Sequence, residues 1–108
     1  MLESARKLLP ICLLLAASLL MPQRALAADS GRGRAIAERW CSECHVVGPE
    51  QKSAPNDQAP PFASIARRPD FDEARLALLV LSPHPNMPKL VLSRLEVADL
   101  AAYILTLK

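Results

Sequence analysis

The pentapeptide Cys41-Ser42-Glu43-Cys44-His45 constrains this chain more than any other stretch of its sequence. Two thiols three positions apart lie on one face of a helical turn, and an imidazole follows directly. The pattern is compatible with three kinds of site: a thiol–disulfide pair, a zinc site, or a covalently attached haem. Each kind of site needs different surroundings in the chain, so the rest of the sequence has to decide between them.

The surrounding sequence favours the haem site. A redox C-x-x-C pair usually opens a helix that follows a strand, whereas here no strand precedes the motif and it closes a predicted helix. Zinc needs further ligands, and His84 is the only other strong candidate outside the N-terminal leader. C-x-x-C-H is the pattern for haem attachment. We therefore predict one haem c, held covalently through Cys41 and Cys44, with His45 directed at the iron.

The first 27 residues have the layout of a cleavable secretory signal. Arg6 and Lys7 precede an apolar run over residues 8–21, and small residues of A-x-A form end at Ala27. The apolar run is too short to span a bilayer comfortably. We predict a signal peptide over residues 1–27, a single domain over residues 28–108, export to the periplasm, and no stable membrane insertion after cleavage.

The charge of the chain argues against a nucleic-acid partner. The formal net charge is +2, but the leader contributes three basic residues and one acidic residue. Residues 28–108 therefore carry a net charge near zero, whereas a nucleic-acid-binding domain is normally basic. The prediction is that nucleic acid is not a partner of this protein.

Hydrophobic periodicity and capping signals predict an all-α domain. We expect helices over residues 29–41, 62–67, 70–81 and 93–108, the last beginning with the S-x-x-E pattern of Ser93 and Glu96. The segments 46–61 and 83–88 are rich in proline and have no apolar period. Loops this long are unusual in so small a domain, and they are explained if they wrap around a group that is not protein.

Met87 is the candidate for the second axial ligand. Met1 and Met21 belong to the leader, so Met87 is the remaining methionine, and it lies in a proline-rich loop where core filling is a poor explanation for it. A thioether sulfur suits a haem iron that changes oxidation state. His84 is the alternative ligand, and a surface position near the haem edge is the other interpretation of that histidine.

Over nearly all of residues 28–108 the chain resembles a small bacterial class I c-type cytochrome. The resemblance is carried by the glycine-bearing first helix leading into C-S-E-C-H, then by A-P-P-F at 59–62, P-H-P-N-M-P at 83–88 and L-A-A-Y-I at 100–104. It implies a cytochrome c-like fold of three to four helices around one haem, with thioethers from Cys41 and Cys44 and axial ligands His45 and Met87.

The resemblance also implies roles for residues around the haem. Pro60, with Pro61 as the alternative, is similar to the proline whose carbonyl accepts a hydrogen bond from the proximal imidazole. Phe62 and Trp40 are expected in the haem pocket or the core. Gly33 and Ala37 are similar to the small residues at which the first helix crosses the last one, next to Tyr103. Arg67 and Arg68 are expected on a solvated face, with haem propionates as the other candidate partners.

An iron with two protein ligands has no vacant position for a substrate. The predicted function is therefore that of a periplasmic monohaem electron carrier, a monomer that docks transiently with redox protein partners, and not of an enzyme. Two alternatives stay open: an electron-transfer subunit of a larger dehydrogenase or oxidase complex, and a peroxidase-like haem protein in which Met87 is labile.

Overall fold

The residues that the structure describes form four helices. The structure is a computed structural model that describes residues 27–52, 59–82 and 86–108. Its helices, in chain order, are α1 (Ser30–Trp40), α2 (Phe62–Ala66), α3 (Glu73–Leu81) and α4 (Arg94–Leu105). No strand occurs within these three described ranges. The predicted all-α fold is confirmed.

The helix ends follow from their capping residues. The side chain of Asp29 accepts a hydrogen bond from the Arg32 amide at the start of α1. At the start of α4, Ser93 and Glu96 form a reciprocal capping box, as predicted. Both caps satisfy amide groups that have no partner inside the helix. The first and last helices therefore begin within one residue of the predicted positions.

The start of α3 differs from the prediction. The sequence indicated Asp70 as the beginning of the helix, but α3 begins at Glu73 and its N-cap is Asp72. The Asp72 carboxylate accepts a hydrogen bond from the Arg75 amide at 2.7 Å, while Asp70 pairs with the Arg75 guanidinium at 3.6 Å. Asp70 and Asp72 are both residue types that can cap a helix. Asp72 is the N-cap because it lies three residues before Arg75, the spacing at which its side chain can accept a hydrogen bond from the Arg75 amide.

Helix α1 crosses α4 at Gly33. A Cβ atom on Gly33 would lie 1.9 Å from the carbonyl oxygen of Asp99 and 2.8 Å from the Cβ of Tyr103, so only a glycine allows the two backbones to approach this closely. Ala37, one turn later, is fully buried. The structure thus contains the predicted crossing of the first and last helices.

Helix α4 is the element against which the others pack. Within the described part of the chain, α1, α2 and α3 each contact α4 and do not contact one another. Leu100 and Ile104 of α4 are almost completely buried. Because the three smaller elements share only α4, they leave a space beside it, and that space holds the candidate site.

A buried carboxylate joins the N-terminal end of α1 to α4. Asp99 is 2% exposed, and its oxygens accept hydrogen bonds from the Arg32 guanidinium at 2.8 Å and from the Asp29 amide at 2.7 Å. The hydrogen bonds from the Arg32 side chain and from the Asp29 amide hold the pKa of Asp99 below its usual range, and those from Arg32 contribute most. No local sequence pattern indicates this interaction, because Asp99 lies 67 and 70 positions from its partners.

Candidate functional site

The end of α1 brings the two cysteines and His45 into one turn. Cys41 caps the helix, and its carbonyl oxygen accepts hydrogen bonds from the amides of Cys44 at 3.2 Å and His45 at 2.8 Å. Cys41 is buried and Cys44 is half-buried. The chain therefore makes one further tight turn after the helix, and this turn presents both thiols and the imidazole on one side.

The His45 ring is oriented by a main-chain carbonyl. Its Nδ1 lies 2.7 Å from the carbonyl oxygen of Pro60. Since a carbonyl can only accept a hydrogen bond, Nδ1 carries a proton, and in the neutral form of the ring Nε2 keeps its lone pair. Such a bond is the usual means by which proteins fix the tautomer of a metal-ligating histidine. A neutral imidazole with Nε2 free to coordinate is a ligand for haem iron.

Phe62 packs beside this imidazole. The two ring centroids are 5.3 Å apart with an interplanar angle of 52°. The Phe62 amide donates a hydrogen bond to the Val46 carbonyl at 2.9 Å, which ties the start of α2 to the segment that follows His45. Phe62 is buried and belongs to the core. It therefore both supports the imidazole and anchors the segment that carries Pro60.

A cavity of about 260 Å³ lies next to this turn. All six residues predicted for the site line it, namely Cys41, Cys44, His45, Pro60, Phe62 and Met87. All four helices contribute to its wall, with apolar side chains from Ile65, Leu76, Leu79, Val80, Leu100 and Ile104. Met87 is partly buried and packs against the core. Residues far apart in sequence are thus brought together around one apolar space.

These residues fit a covalently attached haem. Two thiols in the lining could form thioether bonds to a haem, and the imidazole and the thioether sulfur in the same lining could ligate its iron. The remaining wall is mostly aliphatic, which suits a porphyrin face. Within residues 27–52, 59–82 and 86–108, no group of three or more His, Cys, Asp or Glu side chains is arranged to hold a metal ion.

The rim of the cavity is polar and includes one exposed aromatic side chain. Trp40 is 53% exposed and also lines the cavity, and the Arg39 guanidinium lies 5.0 Å from the centroid of its ring. Arg68 lines the cavity, whereas Arg67 lies outside the lining. Of the two arginines considered from the sequence, only Arg68 has a position from which it can reach a group in the cavity.

Burial changes the chemistry of the first cysteine. Burial, together with the neighbouring Cys44, raises the pKa of Cys41 to about 11. Cysteines that exchange disulfides need the thiolate and usually have a lowered pKa. The environment of Cys41 therefore favours a structural or covalently modified cysteine over a disulfide-exchange module.

Two polar contacts near the site were not predicted from the sequence. The Gln51 side chain bonds to the main chain of the turn that carries His45, and the Tyr103 hydroxyl donates a hydrogen bond to the Val47 carbonyl at 2.6 Å. Burial raises the pKa of Tyr103, which keeps this donor protonated. Neither contact has a local sequence signal, because the partners are main-chain atoms. His84 and the leader residues 1–26 lie outside the described residues.

One curated protein is similar to the chain over almost its whole length. Cytochrome c-552 from Bradyrhizobium diazoefficiens is 52% identical over 98 residues, which cover 91% of this chain and 92% of that protein. No family model matches the chain. No solved structure matches it.

Proposed function

This chain belongs to the c-type cytochromes, and on that premise we propose that it is a periplasmic monohaem electron carrier whose iron is ligated by His45 and Met87. Membership of the family implies a covalently bound haem c and electron transfer with redox partner proteins. The observation that carries the proposal is the single cavity lined by both thiols, by an oriented imidazole and by a thioether.

Each residue of the site has a distinct part in this proposal. Cys41 and Cys44 hold the haem through thioether bonds, and His45 ligates the iron through Nε2. Pro60 would keep the imidazole oriented, Phe62 packs beside it, and Met87 would supply a sulfur ligand. The haem, when bound, supplies one-electron exchange. The aliphatic wall excludes water, which disfavours the more highly charged ferric form and so favours reduction.

The proposed ligand set supports a carrier over an enzyme. If His45 and Met87 both ligate the iron, no position would remain on the metal for a substrate. A covalently attached group also stays with the protein when it diffuses between partners. We propose that the protein is a monomer and that its docking is transient, through a small interface of the kind found in electron-transfer encounters.

The proposed location rests on the leader. Residues 1–27 are proposed to be removed as a signal peptide, which leaves residues 28–108 as the carrier in the periplasm. In the part of the chain that the structure describes, no helix is both long and apolar enough to cross a membrane.

Absorption spectra of the oxidised and reduced protein test the proposed ligation. The wild-type protein is expected to be low-spin in both states, whereas Met87→Ala is expected to be high-spin or to have a solvent molecule as sixth ligand. Val91→Ala is a matched control, because Val91 is in the same segment but is 92% exposed. Its spectra should equal those of the wild type.

Two results would contradict the proposal at different levels. An unchanged spectrum in Met87→Ala would exclude Met87 as the ligand, and His84→Ala would then be tested. A colourless exported protein in which both Cys41 and Cys44 react with an alkylating reagent would exclude the covalent haem itself.

A further inference from the structure

The side chain of Gln51 makes three hydrogen bonds to the turn that carries His45. Its Nε2 donates to the carbonyl oxygens of Ser42 at 3.1 Å and His45 at 3.0 Å, and its Oε1 accepts from the Val47 amide at 3.0 Å. One neutral amide therefore uses both of its protons and its oxygen on three successive points of one turn.

These main-chain groups depend on a side chain because the turn is irregular. Residues 41–47 follow the end of α1 and belong to no helix, so their carbonyls and amides have few regular partners. Gln51 is half-buried and is held by its own amide, which donates to the Gly48 carbonyl at 3.2 Å. A partly buried polar group without a partner is costly, so the three bonds restrict the conformation of the turn.

The turn is also connected to α4 through its other side. The Val47 amide donates a hydrogen bond to Gln51, and the Val47 carbonyl accepts one from the Tyr103 hydroxyl. The Cβ end of the Tyr103 side chain packs next to Gly33. His45 is thus held at two places: its ring is bonded to Pro60, and its main chain is bonded to Gln51. The second of these restraints links the imidazole to the crossing of α1 and α4.

We propose that Gln51 is a positioning residue for His45, which fixes the main chain of the ligand as Pro60 fixes its ring. The inference rests on the proposed function, because it takes His45 to be an iron ligand. Groups that orient a metal ligand also tune the metal, and their loss commonly weakens ligation. The ferric iron carries more charge and depends more on a well-oriented donor, so loosening His45 should destabilise the oxidised form more than the reduced form.

The test is the midpoint potential of the haem-loaded protein in the wild type and in Gln51→Met. Methionine has a similar length and no charge, but it makes none of the three bonds. We expect the ratio of reduced to oxidised protein at the wild-type midpoint potential to rise about threefold. This equals a shift of about +28 mV, since a tenfold change corresponds to 59 mV for one electron.

Val97→Ala is the matched control for a purely structural effect. Val97 is a buried residue of α4 that lies outside the cavity lining, so its truncation lowers stability without a contact to the turn. Its midpoint potential should equal that of the wild type. Gln51→Asn keeps a neutral amide that is one methylene shorter, and its potential should shift in the same direction. This milder variant decides the question if Gln51→Met does not accumulate.

The outcomes separate this inference from the proposed function. An unchanged potential in the Gln51 variants, with a normal wild-type haem spectrum, would overturn the positioning role and leave the carrier intact. An equal shift in Val97→Ala would also overturn it, because the effect would then follow stability alone. A wild-type protein without haem would instead overturn the proposed function.

Discussion

At the scale of single residues, the residues that line the cavity and the Pro60 carbonyl beside His45 could be predicted, whereas the contacts of Gln51 could not. Cys41, Cys44 and His45 lie within one pentapeptide, so their grouping at the site could be predicted from the sequence. Gln51 carries no such signal, because its partners are main-chain atoms whose positions depend on how the turn closes. Asp99 was missed for another reason: its partners lie about 70 positions away, at Asp29 and Arg32.

The lowered pKa of Asp99 predicts how its contribution to stability depends on pH. Hydrogen bonds from Arg32 and from the Asp29 amide hold the folded-state pKa below the unfolded value of about 3.9. The contribution is therefore complete above about pH 4 and is lost as pH falls through the folded-state pKa. Asp99→Asn should be less stable than the wild type at pH 7, and the difference should narrow below about pH 4.

Urea unfolding of both proteins between pH 7 and pH 2 measures this difference. Asp70→Asn is the control, because it removes the acid of an exposed ion pair with Arg75 and such pairs contribute little. A difference between Asp99→Asn and the wild type that stays constant over the whole range would show that the charge of Asp99 has no part in stability.

At the scale of elements, the local sequence predicts which segments form helices. It does not always predict the residue at which a helix begins. The capping box at Ser93 gives α4 one clear start. Before α3, Asp70 and Asp72 are both acceptable caps, and the choice depends on the loop. Phe71 is partly buried against the core, which places Asp70 in the preceding turn and leaves Asp72 to cap the helix. The burial of Phe71 is a tertiary contact that periodicity does not report.

The crossing of α1 and α4 allows a matched comparison of two glycines on one helix. In Gly33→Ala the new Cβ would meet backbone atoms of Asp99 at 1.9 and 2.5 Å, so the helices must separate. We expect a loss of about 3 kcal/mol in the free energy of unfolding. In Gly31→Ala the nearest atom is a side-chain oxygen of Asp29 at 3.1 Å, and a change of less than about 1 kcal/mol is expected. Denaturant unfolding of both variants checks this, and equal effects would contradict the close crossing.

At the scale of the whole molecule, the helices are held together unequally. The crossing of α1 and α4 is direct, through Gly33 and Ala37. Helix α3 instead buries only Leu76 and Val80, and both of these side chains line the cavity. The sequence predicted that the loops wrap a group that is not protein. It could not predict which helix depends on that group, because this depends on the packing against α4.

This difference predicts which part of the protein the haem stabilises. The double variant Cys41→Ala/Cys44→Ala cannot form thioether bonds. If the haem is not retained, the side chains of α3 that line the cavity lose their van der Waals contacts with it. Native-state amide hydrogen exchange should then show protection lost in α3 and largely kept in α1 and α4, which still pack on each other. Ser42→Ala is the control within the same motif, because it removes only a hydrogen bond to the Glu38 carbonyl and keeps both cysteines. Equal protection of α3 in the double variant and the wild type would mean that α3 is held by α4 alone and that filling the cavity contributes little to the fold.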